Sequence, residues 1–213
     1  MGTIRKGANG GFSGKAGSVV GSSWRDIEYI RGLPKLSNKP KSEKQIEQQA
    51  KFALAINVLL PVKKQIDIGF GNIKQGRTTS YNLALKHMLD YAIIGTYPAL
   101  EIDYSQIAFA QGRLSRVSGI NLLAEPGNIR ASWSNDIIKS NSSPTDLLTV
   151  LVYEPESNDY VIGPPDADRA AGMVDIAMPS DWLGKTVHVY LFFTSLDGLL
   201  VSNSAYGGSI SVL

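Results

Sequence analysis

The sequence predicts an α+β fold: a glycine-rich N-terminal β-arm or hairpin, a two-helix segment, and a C-terminal antiparallel β-sandwich of the fibronectin type III/immunoglobulin (Fn3/Ig-like) kind. Three observations predict it. Seven glycines fall within residues 1–21, a density that a helix cannot tolerate and that leaves little to bury. From Ser42 to about Leu60, and again from Ser80 to Ile93, the apolar residues recur at helical spacing. From about Ala99 onward the period becomes two, and the turn signals Glu125-Pro-Gly, Ser140-Asn-Ser-Ser-Pro, Gly163-Pro-Pro and Asp197-Gly198 separate short strands. On this reading residues 1–41 hold the arm, hairpin and linker, residues 42–118 a helical hairpin with a strand region, and residues 119–213 the sandwich.

The elements follow in order. Ser18-Val-Val, Gly21-Ser-Ser and Trp24 to Arg31 read as two short strands around a turn. In the second strand Arg25, Ile27, Tyr29 and Arg31 alternate with Trp24, Asp26, Glu28 and Ile30, so neither face is cleanly apolar. A two-stranded hairpin alone is marginal in water and needs a sheet or a neighbour to join. Gly32 to Lys41 is a polar, proline-marked linker. Ser42-Glu-Lys-Gln45 fits a capping box, which starts a helix that Pro61 stops after Leu60. Residues 66–78 are punctuated by glycine and read as a loop or irregular strand. A second helix spans Ser80 to Ile93, with Tyr81, Ala84, Leu85, Met88, Tyr91 and Ala92 as its apolar stripe. Strands are expected at 100–109, 128–134, 147–154, 159–163, 172–178, 186–194 and 199–213. Trp133 is the natural core anchor. Val187, Val189 and Leu191 alternate with His188, Tyr190 and Phe192, which predicts a strand buried on both faces.

Composition bounds the function. The 213 residues, 43% hydrophobic and 19% charged, suit a folded chain with a real core. The absence of cysteine removes disulfides, thiolate metal sites and cysteine nucleophiles. No run approaches the roughly 18 apolar residues of a membrane helix, so no membrane partner is expected. The basic start lacks the apolar core of a secretory signal, and Lys6 stands where myristoylation wants Ser or Thr. Cytoplasmic synthesis without a signal peptide is therefore expected. Net charge is +2, but it is polarised. Residues 1–90 hold fifteen Lys/Arg against six Asp/Glu, a balance of +9, and residues 91–213 hold six against thirteen, a balance of −7. Such asymmetry points to an anionic partner for the basic half or to head-to-tail contact between copies.

No catalytic constellation emerges. Gly14-Lys15 is followed by Ala16, the position five before Gly14 is Asn9, and no strand–helix context surrounds them, which excludes a phosphate-binding loop. Gly69-Phe-Gly71 with Gly76 misses the dinucleotide spacing. His87 is expected on the exposed side of the second helix, and His188 as a satisfied strand histidine. Asp166-Ala-Asp168 reads as an exposed turn rather than a calcium loop, and Glu154 with Glu156 as a solvated strand rim. No catalytic, cofactor-binding or metal-binding residue is expected. Lys35, Lys39, Lys41, Lys44, Lys63 and Lys64 are the candidate contacts to an anionic partner, part of a dispersed basic set that also includes Lys51, Lys74, Arg77 and Lys86.

The run G-x-F-S-G-K-x-G-x-V-V-G-x-x-W from Gly10 to Trp24, then Tyr29-Ile-Arg31, Pro34, Ser37, Glu43-Lys-Gln45 and Lys51-Phe52, resembles the N-terminal signature of an uncharacterised Bacteroidota family catalogued as a domain of unknown function. Gly69-Phe-Gly71, Tyr81-Asn82, Ile102-Asp103-Tyr104 and Ser202 to Gly207 continue the resemblance over nearly the whole chain. It implies no activity and carries no functional residue. A signature gathered in a glycine-rich arm, not around His, Asp or Ser, is similar to what assembly proteins show.

The sequence thus predicts a non-enzymatic structural subunit that associates with other copies of itself in a virion-like shell, tail-like tube or filament. Its assembly arm would be Phe12, Val19, Val20, Trp24, Ile27, Tyr29 and Arg31, able to add to a neighbour's sheet edge. Two alternatives stay open: a binding or adhesion module that uses the sandwich loops, and nucleic-acid binding through the basic half. Residence in a virion or released assembly would follow from the first reading.

Overall fold

Gly17 and Gly21 set the geometry of the N-terminal sheet. The computed structural model describes residues 3–4, 11–24, 27–35, 40–71, 78–134 and 141–213, and the chain divides into two compact units, Met1–Ser42 and Glu43–Leu213. In the first, β1 (Thr3–Ile4), β2 (Phe12–Ala16), β3 (Val19–Trp24) and β4 (Ile27–Gly32) form one antiparallel sheet in that order. Gly17, at φ +59°, opens the two-residue turn between β2 and β3, where a hairpin needs a positive φ. Gly21 is buried because Phe12 lies on it: a Cβ there would collide with the Phe12 carbonyl oxygen and ring.

The turn expected at Gly21-Ser-Ser is not there. Those residues continue β3 to Trp24, and β4 pairs antiparallel with it from Ile27 onward. The two-strand expectation thus becomes a longer, four-stranded meander. Four hydrogen-bonded strands satisfy more backbone than a short hairpin can.

In the second unit α1 (Glu43–Leu59) begins within a residue of its expected start. Its first three turns are largely exposed, while Ala55, Val58 and Leu59 are buried. α2 (Lys63–Gly69) occupies part of the segment expected to be a loop. Val62, Ile66 and Phe70, spaced four apart, supply one buried face and outweigh the glycines. α3 (Ser80–His87) is capped by Thr79, whose Oγ1 accepts from the Asn82 amide at 3.2 Å. It runs on into a π-helical turn, Met88–Ala92. Ala84, Leu85, Met88 and Ala92 of the expected stripe are buried, but Tyr91 is 61% exposed. The wider π turn rotates it off the stripe.

β5 (Ile93–Thr96) and β6 (Ala99–Ile102) form a hairpin where one strand over 100–109 was expected. Asp103 then caps a 3₁₀ turn, Tyr104–Gln106. The sandwich comprises β7 (Asn121–Glu125), β8 (Asn128–Ser132), β9 (Leu147–Glu154), β10 (Asp159–Ile162), β11 (Met173–Ala177), β12 (Thr186–Thr194) and β13 (Ala205–Ser211). They pair antiparallel in two sheets, β11-β8-β7 and β10-β9-β12-β13. The α+β architecture with a sandwich is therefore as the sequence predicts. β7 is an additional strand, and the last expected strand is shortened to β13.

The four-stranded sheet is covered on both faces. Leu148, Val150, Val152, Val187, Val189, Leu191 and Phe193 pack with Ile129, Ala131, Trp133, Val174 and Ile176 between the sheets. Leu151, Tyr153, Tyr190 and Phe192 point the other way, against Val58, Leu59, Ile66, Phe70, Met88 and Phe109. The second unit is thus three layers: helices, a four-stranded sheet and a three-stranded sheet. Trp133 is 6% exposed and donates its indole N–H to the Arg169 carbonyl at 3.1 Å, the core role expected of it.

Candidate functional site

Cross-strand register gathers five of the seven arm residues, Val20, Trp24, Ile27, Tyr29 and Arg31, on one face. Val20 lies opposite Arg31, Ser22 opposite Tyr29 and Trp24 opposite Ile27, and directly opposed residues share a face. Trp24, expected on the other side from Ile27 and Tyr29, therefore joins them, because it belongs to β3 and not to β4. Lys15, opposite Val20, extends this face onto β2. Trp24 and Tyr29 are each 43% exposed; Ile27 and Val20 are half-buried and Arg31 is exposed. Val19 falls on the opposite face with Gly21 and Ile30, and Ile30 is 63% exposed. Phe12 is half-buried over Gly21. Among the described residues of this unit the only buried one is Gly21. A sheet without an apolar core is short of stabilisation on its own.

Lys35, Lys41, Lys44, Lys63 and Lys64 are exposed; Lys39, Lys74 and Arg77 lie outside the described residues. Lys35 and Lys41 belong to the first unit and the others to the second.

The helix-facing side of the four-stranded sheet carries an aromatic cluster. Tyr104 stacks on His188 with centroids 3.9 Å apart, and His188 Nδ1 shares a 2.8 Å hydrogen bond with the Tyr206 hydroxyl. Tyr190 donates to the Tyr104 carbonyl at 2.8 Å, and Tyr160 to the Val58 carbonyl at 3.0 Å. Burial pushes the Tyr153, Tyr160 and Tyr190 phenols well above the ordinary range and lowers His188. These groups stay neutral at pH 7 and hydrogen-bonded, as expected of His188. His87, in contrast, is not fully on the surface: it is half-buried beside Tyr91, at 4.8 Å, and burial lowers its pKa despite Asp90.

Glu154 corrects the expectation of a solvated rim. It is 0% exposed and accepts from the Glu156 amide at 2.6 Å, the Ser157 amide at 2.8 Å, the Ser157 hydroxyl and Lys185 Nζ at 3.2 Å. Burial raises its pKa, but these donors outweigh burial and bring it down to about 2. Asp168 caps the 3₁₀ turn Arg169–Ala171. The Arg169 guanidinium is 3.0 Å from Asp146 in a buried ion pair and 3.8 Å above the Phe193 ring. Both carboxylates serve local architecture.

Among the described residues no group of three or more His, Asp or Glu is placed to hold a metal ion, and no helix is long and apolar enough to cross a membrane. A groove between residues 115–120 and 205–207 encloses about 560 Å³. Nothing in the sequence marks it, because its walls lie some ninety positions apart along the chain.

No curated protein matches the sequence. Among solved structures, the crystal structure of the Clostridium perfringens spore cortex lytic enzyme SleM is similar over 44% of this chain and 28% of that one, at 16% identity and a TM-score of 0.27. This chain thus spans under a third of that enzyme's length, and a likeness at that score carries no weight for fold or activity. The model of the Family of unknown function (DUF6266) matches residues 11–208, nearly the whole chain and both compact units, and the protein belongs to that family.

Proposed function

We propose that the protein is a non-enzymatic structural subunit that self-assembles, as part of a virion-like shell, a tail-like tube or a filament, through its N-terminal sheet. The observation that carries this reading is the face formed by Val20, Trp24, Ile27 and Tyr29 on a sheet that buries no apolar side chain among the described residues. A unit of about 40 residues lies at the size where oligomerisation commonly supplies missing stability. Charge supports association between unlike surfaces. Residues 1–42 hold eight Lys/Arg against two Asp/Glu, a balance of +6, and residues 43–213 hold thirteen against seventeen, a balance of −4. Contacts between unlike patches close into rings or run as filaments. The same reading takes the glycine signature as the part of the family pattern that builds this sheet, and takes a Bacteroidota origin, cytoplasmic synthesis and residence in an assembly as its setting.

Negative-stain imaging of the purified chain tests the proposal: regular particles or fibres are expected, and their loss on combining Trp24→Ser with Tyr29→Ser. Uniform single molecules of 23.0 kDa at every concentration would sink it. A second reading, a binding module in the second unit, is favoured by the groove beside residues 115–120.

A further inference from the structure

Two cavities meet at Arg116. The first, of about 560 Å³, lies between the 115–120 segment and the start of β13, with Ser115, Ser118, Arg169 and Tyr206 among its walls. The second, of about 230 Å³, is lined by His87, Gln106, Gln111, Asn203 and Ser204, and Arg116 lines both. Among the described residues neither has an Asp or Glu in its lining, so the guanidinium groups are the charged groups these residues bring to it. Arg169 is already neutralised by Asp146 at 3.0 Å and buried. Arg116 is exposed and, among the described residues, has no ion pair or hydrogen bond to its side chain.

The walls are held before any ligand arrives. The Gly112 amide donates to Asn203 Oδ1 at 2.9 Å, and the Phe109 amide to Ser204 Oγ at 3.1 Å. Arg169 Nη2 donates to the Ser115 carbonyl at 3.0 Å, and the Ser134 amide to the Ser118 carbonyl at 2.8 Å. These bonds use acceptors on Asn203 and Ser204. The Asn203 amide N–H groups and the Ser204 O–H remain as donors, and the Gln111 amide keeps both functions. A fixed wall with spare donors loses little freedom on binding.

We infer that this groove binds a small polyhydroxylated anion, a sugar that carries a carboxylate or a phosphate. Arg116 takes the charged group, for which a guanidinium offers two parallel N–H donors. Asn203, Ser204 and Gln111 take the hydroxyls. A bare anion would leave those amides and hydroxyls unused. A nucleic acid needs several phosphates neutralised at once, and here a single arginine is free. The larger cavity, about 560 Å³, has the volume of a small-molecule site, and the smaller one, about 230 Å³, adjoins it at Arg116 and carries the hydroxyl partners. This site is independent of the assembly reading, since it lies wholly within the second unit.

Isothermal titration of the full chain with glucuronate, glucose 6-phosphate, glucose and inorganic phosphate tests it. At least one charged sugar should bind tighter than both glucose and inorganic phosphate, by a factor of roughly ten, the scale of one charged hydrogen-bonded contact. Whichever of the two wins assigns the carboxylate or the phosphate. Arg116→Gln should abolish that advantage while its thermal unfolding stays unchanged, because the side chain is exposed and unpaired. Arg130→Gln, which removes an arginine held by Glu125 and Asp175 outside both cavities, should bind as the parent does. Equal binding of charged and neutral sugars, equal binding of inorganic phosphate alone, no binding at all, or an Arg116→Gln variant that binds like the parent would each overturn the inference.

Discussion

Glu154 shows how one side chain can be read correctly in type and wrongly in place. Its alternation with Glu156 suits a rim, but the turn after β9 folds Ser157 and Glu156 back so that their amides converge on its carboxylate. Nothing in the local pattern encodes Lys185, thirty-one positions away. Glu154→Gln should destabilise the second unit by about 1–3 kcal/mol, since the remaining donors lose a charged acceptor; urea unfolding at pH 7 measures it. The depressed pKa means the folded state binds this proton less readily than the unfolded one. The contribution is therefore complete above the usual carboxylate range near 4.5 and is lost as pH falls toward about 2. The two histidines act in a higher window. Burial lowers both pKa values, so the unfolded chain takes up their protons first, and stability should begin to fall as pH drops through the ordinary histidine value of about 6.5. Urea midpoints across pH 8 to pH 3 should show both declines, and the lower one should be smaller in Glu154→Gln, where Asp175 and Asp197, also held below the ordinary carboxylate value by their hydrogen bonds, still contribute.

At the scale of elements, β12 was the most legible. Seven consecutive apolar or aromatic side chains, Val187 to Phe193, leave no solvent side, and the structure buries all of them. What covers each face was not legible, because the helices reach Tyr190 and Phe192 from far upstream in the chain. Leu191→Ala and Phe192→Ala should each cost about 2–5 kcal/mol. As these residues face different cores, the losses should add to within about 0.5 kcal/mol. Leu123→Ala, at a position 52% exposed, should change stability by under about 0.5 kcal/mol. Denaturant unfolding of the parent, the three single variants and the Leu191→Ala/Phe192→Ala double variant would test this. α2 and Tyr91 escaped for opposite reasons. Glycine spacing hid a helix face of three residues, and a regular 3.6 period could not foresee a π turn. In the N-terminal sheet, Gly21→Ala should force Phe12 away from β3 and abolish association without changing the unfolding of the second unit. Circular dichroism melts and light scattering together check both halves.

For the whole molecule, the change from helical to strand period and the succession of N-terminal strands, helices and sandwich were readable, while α2, the β5–β6 hairpin and β7 were not. The N-terminal segment was legible as strands but not as a four-stranded sheet, since the expected turn at Gly21-Ser-Ser would have ended β3 at Val20 instead of Trp24 and shifted its register against β4. That register puts Trp24, Ile27 and Tyr29 on one face, and the assembly proposal rests on it. Opposite charge balances on the two compact units point the same way, and added salt should weaken association if they contribute. Sedimentation velocity of the full chain, beside the combined Trp24→Ser and Tyr29→Ser variant, is the most direct measurement. The account predicts species heavier than 23.0 kDa that grow with concentration for the parent, and a folded 23.0 kDa monomer for the variant. A parent that stays monomeric throughout, or a variant that sediments like the parent, would contradict it.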